Sequence, residues 1–248
     1  MLIKRTTGVA LAAGAAALSL AVIPGAHALS HTTLTVGGST SPSSASITGS
    51  LATDNIAFTT NYGVKMFCNT LVAEGDVYPG TSVAIGNKIG DITDLQLLDC
   101  RATDLNIPVT VTMTAGAITV AAHPANAGDP VPVDIEVVNA TITATDPSQP
   151  CNFTANGSLA ATAIPGTNGT AAPDGFLEMT PAAFSGPNPV SGFTLDLTVP
   201  TGTTCFGEVV DGDEAGSWWV DDKGANPTQT IKPKIQLSTG GLGDISHS

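Results

Sequence analysis

Alternation of apolar and polar residues dominates the chain. In Ile107-Pro-Val-Thr-Val-Thr-Met113 the apolar residues share one face, and Thr110 and Thr112 share the other. Val131, Val133, Ile135 and Val137 alternate with Pro132, Asp134 and Glu136. Phe193, Leu195, Leu197 and Val199 alternate with Thr194, Asp196 and Thr198. A period of two marks strands with one buried and one wet face. The same texture predicts strands over 45–51, 56–60, 64–69, 91–98, 117–122, 140–145, 152–160 and 229–237. Past residue 28 no stretch has the pattern of an amphipathic helix, and 27 Gly and 17 Pro interrupt the chain too often for helices of usual length. Many short strands separated by turn residues predict an all-β fold, an antiparallel sandwich or a barrel. Pro233, flanked by Lys232 and Lys234, suits an edge strand, since proline cannot donate to a ladder and lysines discourage further pairing.

Two halves, 45–125 and 126–237, show the same order of features. Cys68-Asn69 precedes Gly75, then Pro79-Gly80, and a strand run leads to Cys100. Cys151-Asn152 precedes Gly157, then Pro165-Gly166, and Phe193 to Val199 leads to Cys205. A recurring order of this kind is what two related units produce. The second half carries extra Ala, Pro, Gly and Thr around 161–190, which reads as a surface excursion. Residues 29–44 are rich in Ser, Thr and Gly and read as a mobile lead-in. Residues 238–248 read as a polar tail.

The first 28 residues have the three parts of an export signal. Lys4 and Arg5 are followed by the apolar run Thr7 to Ile23 and by Ala26-His27-Ala28, a small-residue cleavage pattern. Cleavage after Ala28 would release a mature chain with no later segment long and apolar enough to span a bilayer as a helix. The expected location is therefore extracellular, an oxidising compartment. All four cysteines fall in the mature part, and four allow three pairings. The repeat favours Cys68 with Cys100 and Cys151 with Cys205. Each bond would close a loop of tens of residues, worth about 3–4 kcal/mol in the chain-entropy picture. With aromatic residues at 4%, disulfides would supplement a core of limited apolar area.

Loss of Lys4 and Arg5 with the signal takes the net charge from −13 to −15. A field of that sign repels nucleic acid and anionic membrane surfaces, so neither is expected as a partner. The Cys68-Asn69 strand, Gly86-x-x-Ile89-Gly90-x-Ile92-Thr93 running into Cys100, Pro108-Val-Thr-Val-Thr112 and the second cysteine pair resemble a group of uncharacterised secreted β-rich proteins of actinobacteria. The resemblance covers 45–237. It implies fold and location and supplies no active site.

Candidate chemistry is sparse. The mature histidines are His31, His123 and His247, and the first and last fall in the expected mobile termini. There is no G-x-S-x-G elbow, phosphate-binding loop, H-E-x-x-H or CxxC motif. No catalytic residue is assigned. One cluster stands out: Asp211, Asp213, Glu214 and Asp222 partly follow the spacing of a calcium loop, although Ala215 occupies a ligand position and no helices flank it. Weak Ca²⁺ binding is its functional reading, and a solvated acidic turn its structural one. Trp218 and Trp219 are adjacent, so on a strand one faces in and one out, and the outward ring could stack on a sugar or partner. Asn139, Asn152, Asn156 and Asn168 lie in N-x-[ST] patterns, which matter only in a glycosylating host. The expectation is a secreted noncatalytic protein with a structural or surface-interaction role toward an extracellular or envelope partner. Its rivals are a carbohydrate- or envelope-binding module and an extracellular hydrolase.

Overall fold

The computed structural model describes residues 32–102, 107–124, 126, 128–144, 151–167, 169, 171–185, 188–201, 205, 209–221 and 230–247. The expected export signal, His31, Asn168 and Asp222 lie outside them. In chain order the strands are β1 (Thr32–Val36), β2 (Ala45–Leu51), β3 (Ile56–Thr60), β4 (Lys65–Val77), β5 (Gly80–Val83), β6 (Lys88–Ala102), β7 (Ile107–Met113), β8 (Gly116–Val120), β9 (Val131–Ala144) and β10 (Asn152–Pro165). They continue with β11 (Gly175–Met179), β12 (Ala183–Ser185), β13 (Asn188–Ser191), β14 (Leu195–Thr198), β15 (Glu214–Trp218), β16 (Val220–Asp221), β17 (Thr230–Ile231), β18 (Lys234–Ser238) and β19 (Ile245–His247).

The main sheet closes into an antiparallel eight-stranded barrel. Each wall position is one long strand or two short strands placed end to end. β2 and β3 both pair with β4, which pairs with β6. β7 and β8 both join β6 to β9, and β9 pairs with β10. β11 and β14 both pair with β10. β18 joins β11 to β2, and β15 joins β14 to β3, closing the ring. Neighbours in the wall are therefore neighbours in the chain, an up-and-down meander. Closure leaves no free edge for water or another chain to pair with.

The breaks within wall positions have local causes. Between β2 and β3, Thr53 is buried and its hydroxyl donates to the Asn55 carbonyl at 2.7 Å. In β4 the register shifts between Glu74 and Gly75, and a Cβ on Gly75 would stand 2.0 Å from the Asp91 carbonyl oxygen. β10 shifts its register in the same manner between Ala155 and Gly157, where φ is +141° and a Cβ would stand 2.0 Å from the Thr194 carbonyl oxygen. These are β-bulges that only glycine fits. The two glycines matched in the sequence repeat thus sit in equivalent bulges, four wall positions apart. Each half supplies four wall positions.

Alternation decides which side chains fill the barrel. Along β7, Ile107, Val109, Val111 and Met113 are buried, and along β9 Val131, Val133, Ile135 and Val137 are too. Ser46, Thr48 and Ser50 of β2 and Glu136 of β9 are exposed. Apolar inside and polar outside is the reverse of a barrel whose outer wall meets lipid.

Three expectations are corrected. The segment around 161–190 is not a mere excursion, because it contains β11, a barrel strand that buries Leu177 and Met179. The same segment also holds the small β12–β13 hairpin. Pro233 does not mark an edge: β18 is paired on both sides, and the Pro233 carbonyl accepts from the Met179 amide at 2.9 Å. Lys232 and Lys234 serve instead as outward partners of Glu178, at 3.2 and 3.3 Å. Finally, the lead-in and the tail meet. β1 pairs with β19 and with β5, because Leu34 and Val36 are the apolar half of an alternating Thr-Leu-Thr-Val run and bury themselves against the barrel end.

Candidate functional site

The lumen contains a cavity of about 150 Å³. Its wall is mainly aliphatic, with Leu71, Leu97, Val111, Ile135, Phe153 and Leu197 among the lining residues. The cavity exists because several inward positions carry very small residues: Gly49, Ala73, Ala140, Ala155 and Ala215 all line it. An eight-stranded barrel has an interior just wide enough to be filled by side chains or to hold one small ligand. Two polar linings are already satisfied. The Thr59 hydroxyl donates to the Thr60 carbonyl at 3.3 Å, and the Thr60 hydroxyl accepts from the Val64 amide at 3.1 Å. Glu74 and Asp91 border the cavity at the β4 bulge. The Asp91 carboxylate is engaged by Lys88 at 2.7 and 2.9 Å and by the Tyr78 hydroxyl. Those bonds, Lys88 first, hold Asp91 below its usual pKa, and the bond to Asp91 is the main reason Tyr78 is pushed up to about 12.

One end of the barrel carries both disulfides, Cys68–Cys100 and Cys151–Cys205, paired as the repeat predicts. Cys68 and Cys100 are directly opposite on β4 and β6. All four cysteines are buried. Cys151 stands at the start of β10, four wall positions from β4, so the first cysteine of each pair recurs at the same offset as the bulges.

Asp211 and Asp213 of the acidic cluster lie at this end, in the turn that leads into β15. Asp211 accepts from the Val199 amide at 3.1 Å, and Asp213 from the Val210 amide at 2.9 Å. The Asp213 side chain is buried, and its backbone oxygen accepts from Leu197 at 2.7 Å. Carboxylates that bond nearby backbone amides are a means of fixing a turn. Glu214 is exposed on β15, where its backbone exchanges hydrogen bonds with Asn61. Among the described residues no group of three or more His, Cys, Asp or Glu side chains is gathered as metal ligands would be.

Trp218 ends β15 on the same face as exposed Glu214, whereas Ala215 lines the lumen, so the ring lies on the outside of the barrel. Trp218 packs edge-on to Phe184 with ring centroids 5.8 Å apart, and Lys65 stands 4.8 Å above its ring. Phe193 extends the cluster, 5.0 Å from Phe184. Trp219 follows the last residue of β15 and is 41% exposed.

The opposite end is covered by the sheet β19-β1-β5. Here Asp174, fully buried, accepts from the Thr239 amide at 2.6 Å and its hydroxyl at 2.8 Å, which fixes the turn into β19. His247 is the residue sequence reading missed. Placed in a mobile tail by composition, it is instead 8% exposed on β19, opposite Leu34, and neither ring nitrogen has a hydrogen-bond partner among the described residues. Burial pushes its pKa down. The available signal was the alternation Ile245-Ser-His247, which mirrors Leu34-Thr-Val36. No protein-family model, curated protein or solved structure matches this chain.

Proposed function

We propose that this is an exported, noncatalytic binding protein whose barrel encloses a small apolar molecule. The observation that carries the reading is the aliphatic cavity of about 150 Å³ inside a closed wall. Cores ordinarily pack with few voids larger than a water molecule. An apolar void near about 150 Å³ is large enough to stay dry and take up benzene. The two disulfides suit an oxidising extracellular setting, which agrees with the export signal read from the sequence. The ligand class is uncharged and mainly hydrocarbon, since the lining offers little else. Titrating the purified protein with benzene tests this. Saturable binding should raise the unfolding midpoint and shift methyl resonances of Leu97, Val111 and Ile135. Absence of any saturable response, or shifts confined to surface residues, would remove the reading.

A second reading, surface interaction with envelope carbohydrate, is favoured by the exposure of Trp219 beside the Trp218–Phe184–Phe193 cluster. Polysaccharide binding that disappears in Trp219→Ala would support it, and binding indifferent to that change would not.

A further inference from the structure

His247 stands where an apolar site would need a polar contact. A second cavity of about 50 Å³ lies beneath the β19-β1-β5 sheet and is lined by Leu34, Val83, Ile89, Ile245 and His247. Ile47, Ile118, Leu177 and Leu237 line both this cavity and the larger one, so a single layer of side chains separates them. Neutral imidazole has one donor and one acceptor nitrogen. Both are buried without a partner among the described residues, at the one polar ring on the wall of an apolar chamber. Such groups carry a desolvation cost unless something bonds them.

We infer that the barrel takes a neutral amphipath, an alcohol with a short alkyl body, whose hydroxyl hydrogen-bonds His247 in the capped-end cavity and whose body parts the layer of Ile47, Ile118, Leu177 and Leu237 to reach the lumen. The inference rests on the enclosed-ligand reading above and names the head group and its partner. A hydroxyl both donates and accepts, so it can serve either ring nitrogen in either tautomer. A carboxylate head fits less well. The lining of the second cavity offers an anionic head no Lys or Arg, and the chain as a whole carries a net charge of −13. The body must be small, because the larger cavity matches the volume of about 150 Å³ that benzene occupies.

The test uses 1-hexanol, n-hexane and hexanoate with the full-length protein, His247→Leu and His247→Gln, by calorimetry and by following the His247 ring nitrogen resonances. Expected is that His247→Leu weakens 1-hexanol about fivefold to tenfold, the worth of one neutral hydrogen bond, and leaves n-hexane unchanged. His247→Gln, which keeps a donor and an acceptor, should retain 1-hexanol binding. The ring resonances should move with 1-hexanol and stay with n-hexane, and hexanoate should bind more weakly than 1-hexanol. If n-hexane binds and 1-hexanol is indifferent to both substitutions, the head-group assignment is overturned while the enclosed-ligand reading stands. If hexanoate binds best, the neutral head group is overturned. If neither 1-hexanol nor n-hexane binds any variant, both readings fall.

Discussion

At one end of the barrel Cys68–Cys100 and Cys151–Cys205 hold the chain covalently, whereas at the other three short strands lie across the opening on hydrogen bonds and apolar packing. The covalent end restrains the unfolded chain and gives the folded barrel one fixed rim. The capped end is held by β1, β5 and β19, with Leu34 and Val36 buried and Val83 and Ile245 packed beside them. Free energies of local opening follow the amount of apolar contact and backbone pairing that must be broken. The capped end is therefore the side expected to open first, and it is also the side that holds His247, whose ring nitrogens have no partner among the described residues.

The largest effect expected is at the fixed rim. The disulfides span 32 and 54 residues. Each should contribute about 3–4 kcal/mol by loop closure, so reduction should lower the unfolding midpoint by well over ten degrees. An unchanged midpoint in strong reductant would erase the distinction between the two ends.

Next in size is a change at the cap. Leu34 is 6% exposed and faces the second cavity. Leu34→Ala should cost about 2–4 kcal/mol, as leucine truncations in packed sites do. Hydrogen exchange should quicken in β1, β19 and β5 and stay slow around Cys68 and Cys100. Equal quickening at both ends would show that the barrel opens as one unit, and the comparison would lose its meaning.

The pH dependence sharpens the same contrast. His247 is held below its usual 6.5 by burial. Folding therefore favours the neutral ring, and stability present above 6.5 is lost as pH falls from there through the folded value. Between pH 7.5 and 5.5 the wild type should lose stability that His247→Gln keeps. Asp91, held below 3.8 by Lys88 and Tyr78, gives stability present above 3.8 and lost below it, in a separate and lower window. Tyr78 acts in the opposite sense: pushed up to about 12 from 10.0, it favours folding below 10 and loses that contribution as pH climbs toward 12. A denaturation series on wild type, His247→Gln and Asp91→Asn separates these windows. A wild type flat between pH 7.5 and 5.5 would mean that the ring meets solvent in the folded state.

Much of the wall was legible because its signal is local. Ile107 to Met113, Ala45 to Leu51 and Ile56 to Thr60 alternate so regularly that strand bounds follow from side-chain period alone. The cysteine pairing was legible because Gly75 and Gly157 repeat with it. Closure was not, because it depends on β18 and β15 finding β2 and β3 across most of the chain, and no local pattern records a partner. Pro233 shows the limit: read alone it denotes an edge, yet its carbonyl is bonded in a paired wall. The lumen was hidden for a related reason. Gly49, Ala73, Ala140, Ala155 and Ala215 look like ordinary small residues until closure points them at one another. His247 was misplaced because composition near a terminus outweighed a three-residue alternation.

The smallest effect expected concerns the acidic turn at the disulfide end. If Asp211 and Asp213 serve as turn-fixing acceptors, Asp213→Ala removes the partner of the Val210 amide and should cost about 1 kcal/mol. Asp211→Ala, whose exposed side chain bonds the Val199 amide, should cost less. Calcium should restore neither loss, since the carboxylates already have backbone partners and Ala215 offers no side-chain oxygen. Tryptophan fluorescence supplies the reading, but Trp218 is packed against Phe184 beneath Lys65, so its signal follows that cluster rather than the turn. Trp219 is the more exposed reporter, and the titration is best run in Trp218→Phe, which leaves it alone. A saturable change in that variant below millimolar Ca²⁺, abolished by Asp213→Asn, would turn the rim's acidic turn into a metal site. The two ends would then differ by a cation as well as by their covalent bonds.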